Sequence, residues 1–414
     1  MSESALVGIG SEKPAASNGT RTAGFPQALI LLLASCLGVL GAVLLTPVLP
    51  KMEDAFAGTA GAGILVPVVV TIPGLMIGLL SLVAGSVVDR VGRKRLLVWA
   101  LAAYAVVGTA PLWLDSLPLI VVSRALVGVC EAAIMTCCTT LIADYFDGAR
   151  RDKYLGLQVV FTNVASIVFF GLGGALGDSG WRTPFWLYAM SLLLVVLAAV
   201  FIWQPRAAND RPAVLAPVPW RTLRMPSVVT LIGGMVFYTP IVELSYVLDD
   251  IGVESTATIG QVSAGTGVAT AIGGFLFGRV SRSGPRTLLP IGFTLAGVGL
   301  VVMALGSGIA MVTVGAVVAC GGTGLLLPTM LTWAINSLDY AERGRGTGLW
   351  TAAFNIGNFF CPLAVLGLSA LLGGLSGAIV AVGVVSLATA GTVRALLGRP
   401  GTRPAPALTA EPND

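Results

Sequence analysis

The sequence contains no histidine among its 414 residues, and only 11% of them are charged. The absence of histidine excludes catalysis and proton relays that depend on an imidazole. The scarcity of charge excludes an ordinary soluble domain, in which about 25% of residues are charged. The six cysteines lie in apolar stretches without metal-ligand spacing, so we expect no metal site and no cofactor.

Long apolar runs are what the sequence does have. They are about 20 residues long, the length that crosses a bilayer as a helix. Backbone polar groups in lipid must pair within their own segment, and these runs do not alternate as barrel strands do. We predict an all-α membrane protein with helices near residues 26–50, 62–88, 94–114, 118–145, 154–177, 182–203, 227–249, 257–279, 286–306, 309–337, 347–372 and 376–396.

A polar stretch at mid-chain divides these twelve helices into two sets of six. The predicted organisation is an N-terminal tail (1–25), a six-helix bundle (26–203), a linker (204–226), a second six-helix bundle (227–396) and a C-terminal tail (397–414). The first apolar run is long enough to remain as a membrane anchor, so we expect no separate signal peptide.

The basic residues predict the orientation. If the N-terminus is cytoplasmic, all but three of the 24 lysines and arginines fall in cytoplasmic segments; the exceptions are Lys51, Arg124 and Arg182. Positive residues favour the cytoplasmic side of a membrane. We therefore expect an inner-membrane protein with both termini in the cytoplasm, and the net charge of +4 requires no nucleic-acid partner.

Two loops repeat at the same offset of 192 residues. The segment from Arg90 to Leu97 matches the segment from Arg282 to Leu289, and the segment from Asp147 to Asn163 matches that from Asp339 to Asn355. Such parallel repeats are typical of transporters whose substrate site lies between two halves at mid-membrane.

The sharpest motif runs from Gly85 through Asp89, Arg90 and Gly92 to Arg93, directly after the second predicted helix. It resembles the signature loop of the major facilitator superfamily, and this resemblance extends over residues 26–396. The second copy is degraded, with Ser281 and Pro285 at the positions that correspond to Asp89 and Arg93.

The resemblance implies that this loop is a conformational gate. The Asp89 carboxylate would face the positive end of the eleventh helix, near Gly346 and Gly348. Arg93 would pair with Asp144 at the end of the fourth helix. These contacts would hold the two halves together on the cytoplasmic side in one state and release them in the other.

The fourth helix carries Arg124, Gly128 and Glu131. The first two resemble a pattern of proton-coupled members of the superfamily, although Val127 stands where the family usually has glutamine. Arg124 and Glu131 are seven residues apart and share one helix face, about 10 Å apart. Charges inside a bilayer are costly and usually face a cavity or a partner, so these two either couple transport to protons or stabilise packing.

Glu243 is the third charge at membrane depth and lies toward the outer half of the seventh helix. A carboxyl group in a medium of low dielectric constant can bind and release a proton near neutral pH. Glu131 and Glu243 are therefore candidate proton sites, together with Arg124. The alternative for Glu243 is a group at the outer face that water reaches.

Polar and aromatic residues at membrane depth are candidates for the lining of a substrate cavity. Each alone is also consistent with packing or an interhelical hydrogen bond. The set comprises Arg124, Gln158, Asn163, Tyr238, Glu243, Tyr246, Trp333, Trp350, Phe354, Asn355 and Asn358. A mostly apolar cavity with few polar anchors is usual for ligand sites.

The fifth helix ends in a glycine-rich stretch from Gly171 to Gly177. It loosely resembles the antiporter motif of drug exporters but lacks the Gly-Pro pair of that motif. Close helix packing by small residues is the other interpretation.

These features together predict a proton-coupled secondary transporter similar to the drug:H+ antiporter branch. Its partners would be a small amphipathic or apolar substrate, protons and the lipid bilayer, with the protein acting as a monomer. Uptake of a metabolite, such as an organic anion held by Arg124, is the alternative. An enzyme or receptor is disfavoured, because no catalytic histidine and no nucleotide-binding loop occur.

Overall fold

The computed structural model describes residues 23–205, 220–339 and 342–397. Within these ranges, twelve helical spans are long and apolar enough to cross a membrane, as the sequence predicts. We number them span 1 to span 12 in chain order: Phe25–Ala55, Ala62–Leu80, Arg93–Leu112, Leu117–Tyr145, Gly148–Gly177, Thr183–Phe201, Thr222–Asp250, Thr256–Ser283, Pro285–Ala304, Ile309–Asn336, Arg343–Leu372 and Leu375–Leu397.

Span 1 is not the single helix that the sequence predicts over 26–50. An α-helix covers Phe25–Val43, a 3-10 turn covers Thr46–Val48, and a second α-helix covers Leu49–Ala55. Pro47 explains the break, because its ring would clash with the carbonyl of the residue four positions earlier, Val43, and it lacks an N–H.

Other predicted helices are divided as well. The predicted helix 62–88 is two helices, Ala62–Leu80 and Ala84–Val91. Span 3 ends in a 3-10 turn over Ala110–Leu112, and span 6 joins a 3-10 helix, Thr183–Met190, to the α-helix Ser191–Phe201.

The helix of span 7 begins earlier than the sequence predicts. It covers Trp220–Asp250, so its first residues belong to the segment expected to be linker, 204–226. Leu223 is buried against Ala334 of span 10 and Leu338 just after it, and this contact stabilises the additional turns. The remainder of the predicted linker, from residue 206 to 219, lies outside the described residues.

The spans form two six-helix bundles, the N-half (spans 1–6) and the C-half (spans 7–12). Each half has its own main cluster of buried apolar residues. The halves meet mainly along two pairs of spans, 2 with 11 and 5 with 8, and span 1 also contacts spans 7 and 8. In each pair the second span of one half contacts the fifth span of the other half, as expected for two pseudo-symmetric bundles.

The two ends of the bundle differ in charge. The last turns of spans 1, 3, 5 and 7, together with the loops that follow them, carry two basic residues, Lys51 and Arg182, and seven acidic ones: Glu53, Asp54, Asp115, Asp178, Asp249, Asp250 and Glu254. We call this end the acidic face. The opposite end carries the signature loop and most of the basic residues, and we call it the basic face.

Candidate functional site

Arg124 lies inside the N-half and is fully buried. Its Nη2 donates to the carbonyl oxygens of Val107 and Gly108 on span 3, each at 2.8 Å. Its guanidinium group lies over the rings of Tyr188, at 4.8 Å, and Phe185, at 5.2 Å. These contacts occupy the side chain within spans 3, 4 and 6, so in this conformation Arg124 does not line a cavity between the halves.

One nitrogen of Arg124 remains available. Among the described residues, Nη1 and the nearby Tyr188 Oη are buried without a hydrogen-bond partner. Buried polar groups are nearly always paired with protein or ordered water. This pair of atoms therefore marks a point where a water molecule or a polar group of a ligand would be stabilised.

Glu131 lies on the same span, and only 1% of its surface is exposed. Its Oε1 is 3.5 Å from Tyr104 Oη, which donates to the Leu37 carbonyl at 3.0 Å. Arg124 interacts with Glu131 electrostatically, but the two described side chains form no ion pair. The rings of Tyr104 and Tyr188 lie between the two side chains instead. Tyr104 contacts Glu131, Tyr188 contacts Arg124, and the two ring centroids are 5.2 Å apart.

Glu131 also contacts span 1 just before the break. A Cβ atom added to Gly41 would lie 2.6 Å from Glu131 Oε1. The next residue, Ala42, offers its carbonyl oxygen to Tyr238 Oη of span 7 at 3.4 Å, and Tyr238 makes a second bond of this length to Val70 O. Tyr238 thus reaches from the C-half to within one residue of the Glu131 contact.

Glu243 lies one turn before Tyr246 on span 7, and its side chain is 4% exposed. Within the described part of the chain it has no hydrogen bond, and Glu53 on the acidic face acts on it electrostatically. Tyr246 Oη is also buried, and Glu53 of the opposite half acts on it as well. An open cavity of about 510 Å3 beside Glu53 and Asp54 extends to Leu366 of span 11.

Two predicted cavity residues serve helix packing instead. Gln158 Nε2 donates to Ser35 Oγ at 2.7 Å and to Thr139 Oγ1 at 3.2 Å, which joins spans 1, 4 and 5. The Asn358 amide donates to Gly234 O at 2.9 Å, in the orientation that satisfies its hydrogen bonds. These bonds fit the interhelical role that the sequence left open as the alternative for each of these residues.

Three other predicted residues are half-buried. Asn355 bonds to its own helix at Thr351 O, and its Oδ1 lies close to Gly74 of span 2. Asn163 is half-buried and also bonds to its own helix, at Val159 O. Trp333 is half-buried against the core of the C-half.

An aromatic cluster joins spans 7 and 11. Trp350 and Phe354 stack with ring centroids 5.5 Å apart, and Phe354 meets Phe237 edge to face at 5.3 Å. Trp350 Nε1 is buried without a hydrogen-bond partner among the described residues. The cluster offers the kind of flat apolar surface that binds aromatic compounds.

The signature loop contains the expected ion pair between Arg93 and Asp144. Gly92 has φ +91°, a conformation that favours glycine, and Gln204 Oε1 accepts from Lys94 N at 3.0 Å. The side chain of Asp89 lies outside the described residues, while Gly85 and Arg90 are exposed. Nearby, Ser81 Oγ, directly after span 2, lies 2.7 Å from Gly78 O of its own half and 3.0 Å from Gly348 O of span 11, so the halves come into contact at the basic face.

Sequence reasoning missed Tyr104 and Tyr188, because a tyrosine in an apolar run carries no signal of its partner. It also missed the contacts of Asp178 and Lys51. Lys51 did stand out as one of three basic residues away from the cytoplasmic segments, and that exception was the available signal.

Two pseudo-symmetric six-helix bundles with ionisable groups buried among their helices are typical of a multi-pass membrane transporter. The family model of the Major Facilitator Superfamily matches residues 31–242 and 227–412, and the chain belongs to this superfamily. Its members move small molecules across membranes and are not enzymes.

The curated relatives match only part of their own length. The chain is 24% identical over 201 residues to the quinolone resistance protein NorA of Staphylococcus aureus (strain MRSA252), covering 47% of this chain and 51% of NorA. It is 34% identical over 152 residues to a gallate transporter of Pseudomonas putida, covering 35% and 32%. The chain thus matches about half or less of each relative.

Solved structures of low identity share the fold. A bacterial homolog of the human lysosomal transporter Spinster, in an inward-facing and occupied conformation, gives a TM-score of 0.77 at 17% identity, covering 90% of this chain and 96% of that one. A D-xylose-proton symporter gives 0.75 at 15% identity, covering 89% and 97%.

Proposed function

We propose that this protein is a proton-coupled secondary transporter that exports a small amphipathic or apolar compound. It would act as a monomer in the inner membrane with both termini in the cytoplasm. Residues 26–203 and 227–396 would rock against each other about a central site, so that the site opens to one side at a time. Substrate and proton would each favour a different state, which is the condition for coupling.

The charge difference between the two ends of the bundle supports this orientation. Positive residues collect on the cytoplasmic side of membrane proteins. The acidic face has seven carboxylates and only Lys51 and Arg182 as cations. It is the end that would face outward, and export would release the substrate there.

The surroundings of Glu131 carry the proposal. A hydroxyl group has one hydrogen, and Tyr104 Oη gives it to Leu37 O at the shorter distance. Tyr104 then presents a lone pair to Glu131, which suits a protonated carboxyl that donates. Because an unpaired charge is costly at membrane depth, binding and loss of a proton at Glu131 would change the stability of its surroundings substantially.

Span 1 supplies a route from this proton site to the boundary between the halves. Glu131 lies against Gly41, and Tyr238 of the C-half bonds to the adjacent Ala42 carbonyl. The helix of span 1 ends at Val43. A small shift of the Gly41–Ala42 segment on protonation would therefore weaken or strengthen a contact that joins the halves.

The basic-face contacts would supply the gate. Arg93 pairs with Asp144 within the N-half, and Ser81 contacts Gly348 across the halves. We propose that Asp89, Arg90, Gly85 and Gly92 complete this gate, which would hold the cytoplasmic side closed in one state.

The test uses inverted membrane vesicles with an imposed pH gradient, acid inside, and a fluorescent quinolone as the probe. We expect the wild type to accumulate the probe. Glu131→Gln should lose accumulation driven by the gradient but keep exchange, because glutamine keeps the shape and cannot release a proton. Asp115→Asn, at an exposed carboxylate on the acidic face, is the control and should behave as the wild type. Accumulation by Glu131→Gln equal to wild type would remove Glu131 as the proton carrier.

A second candidate is uptake of an organic anion. The gallate transporter among the relatives favours it, and so does the buried guanidinium of Arg124, whose Nη1 has no hydrogen-bond partner among the described residues. Uptake requires radiolabelled gallate to accumulate in right-side-out vesicles and Arg124→Lys to abolish it. Export requires the opposite vesicle orientation, so the same two preparations separate the candidates.

A further inference from the structure

Asp178 follows the last residue of span 5, on the acidic face, and its contacts cross from the N-half to the C-half. Its Oδ1 accepts from Thr256 Oγ1 at 2.8 Å and from the backbone N of Ala257 at 3.4 Å. Both donors lie in the first turn of span 8. A carboxylate there offsets unpaired N–H groups and the positive end of the helix dipole, so Asp178 stabilises a helix of the opposite half.

Lys51 adds a third element to these contacts. It lies in the short second helix of span 1, where Nζ donates to Gly177 O at 3.2 Å and is 3.9 Å from Asp178 Oδ1. Thr256 Oγ1 also lies 2.9 Å from Gly174 O. Spans 1, 5 and 8 are therefore joined at one point.

The glycine-rich stretch of span 5 makes this approach possible. A Cβ on Gly174 would lie 2.7 Å from Gly260 Cα, and a Cβ on Gly173 or Gly177 would collide with Leu44 or Val48 of span 1. The structure thus favours the packing interpretation of this stretch. It brings the backbones of spans 5 and 8 into direct contact, and a short side chain such as Asp178 can then reach the neighbouring helix.

We propose that Asp178, Lys51 and Thr256 form an acidic-face latch, which holds the halves together on this side and must break before substrate can leave there. That the latch must open rests on the alternating access proposed above. Its residues touch neither Glu131 nor Arg124, so its role is to set which side is open.

The latch has a matched control on the same face. Asp115 pairs with Arg182 Nη2 at 2.6 Å, but both residues belong to the N-half. Asp115→Asn therefore removes one carboxylate from the acidic face and leaves the contacts between the halves intact. If Asp178→Asn and Asp115→Asn differ in effect, the difference is therefore due to the contact between the halves and not to the loss of a surface charge.

The experiment measures the distance between spin labels on the full chain in lipid nanodiscs, without substrate or a pH gradient. The labels are placed at Ala60→Cys in the N-half and Ser307→Cys in the C-half, while the six native cysteines are buried. The outcome does not depend on which substrate or ion is transported, so failure of the latch and failure of the proposed function are distinguishable.

We expect Asp178→Asn and Thr256→Val each to raise the ratio of long to short distances about tenfold, the effect of losing one charge-assisted hydrogen bond. The double variant should add little to either single one, because both remove the same interaction. Asp178→Glu should recover part of the closed population, and Asp115→Asn should match the wild type.

Two results would overturn the proposal. One is an unchanged distance distribution in either Asp178→Asn or Thr256→Val, each checked by size exclusion to be folded. The other is an equal change in Asp115→Asn, which would assign the effect to surface charge.

Discussion

Glu131 and Gly41 touch across the boundary between spans 4 and 1, with the carboxyl oxygen in the space that a Cβ on Gly41 would occupy. We expect Gly41→Ala to lower the free energy of unfolding by about 1–3 kcal/mol, the usual cost of overpacking. Aspartate is one methylene shorter than glutamate, so Glu131→Asp makes room for the methyl group that Gly41→Ala adds. The double variant should regain thermal stability relative to Gly41→Ala alone, which a thermal-shift assay in detergent would measure. A double variant that is less stable than both single ones would contradict this contact.

Tyr238 should contribute to turnover through its hydroxyl group, which bonds to Ala42 O and Val70 O of the opposite half. Both bonds are long, so we expect Tyr238→Phe to change transport rates only severalfold. Tyr145→Phe is the matched control, because the Tyr145 hydroxyl bonds to Trp203 within a single half. Initial rates of probe transport in vesicles would measure both, and equal rates for the two variants would count against a role for this contact.

Substitutions of two glycines of span 5 would distinguish a role of this stretch in close helix packing from a role as a sequence motif. Gly174 faces Gly260 of span 8, while nothing lies within 4 Å of a Cβ on Gly171. We expect Gly174→Ala to push spans 5 and 8 apart and to increase the open population on the acidic face. Gly171→Ala should leave it unchanged or slightly stabilise the helix, since alanine is the better helix former. The spin-label distances described above measure this, and an equal effect of both substitutions would exclude the packing explanation.

The acidic-face latch should be insensitive to pH over the physiological range. The hydroxyl of Thr256 donates to Asp178 and holds the pKa of its carboxyl below the ordinary value; the Ala257 amide and the Lys51 charge act in the same direction. A lowered pKa in the closed state means that closure is stabilised above the ordinary Asp pKa of about 4 and weakens as pH falls through the lowered value. Distances between the labels should thus stay constant from about pH 8 to pH 5 and lengthen only in stronger acid. If the labels instead moved apart between pH 7 and pH 6, a group other than Asp178 would control the opening of this face.

The sequence predicted the features that follow from composition and local spacing. Continuous apolar runs indicated twelve spans, and the resemblance of the signature loop to the superfamily implied the ion pair of Arg93 with Asp144. The break in span 1 was also readable, since Pro47 and Pro50 lie inside the predicted helix. It was missed because membrane helices often tolerate proline.

The neighbours of each buried group were not predictable, because they depend on how the helices pack. Spacing placed Arg124 and Glu131 on one face, but Tyr188 and Tyr104 from spans 6 and 3 lie between them. Gln158 looked like a ligand for substrate, yet its partners Ser35 and Thr139 come from two other spans. A single sequence does not specify which spans adjoin.

The interruption of span 1 at Pro47 has a mechanical consequence. Gly41, beside the buried carboxyl of span 4, belongs to the upstream piece, whereas Lys51 belongs to the downstream piece. Two rods joined by a bend can tilt separately. One transmembrane segment can thus respond to a protonation event in the bundle interior at one end and to separation of the halves at the other, without the whole helix having to move as a rigid body.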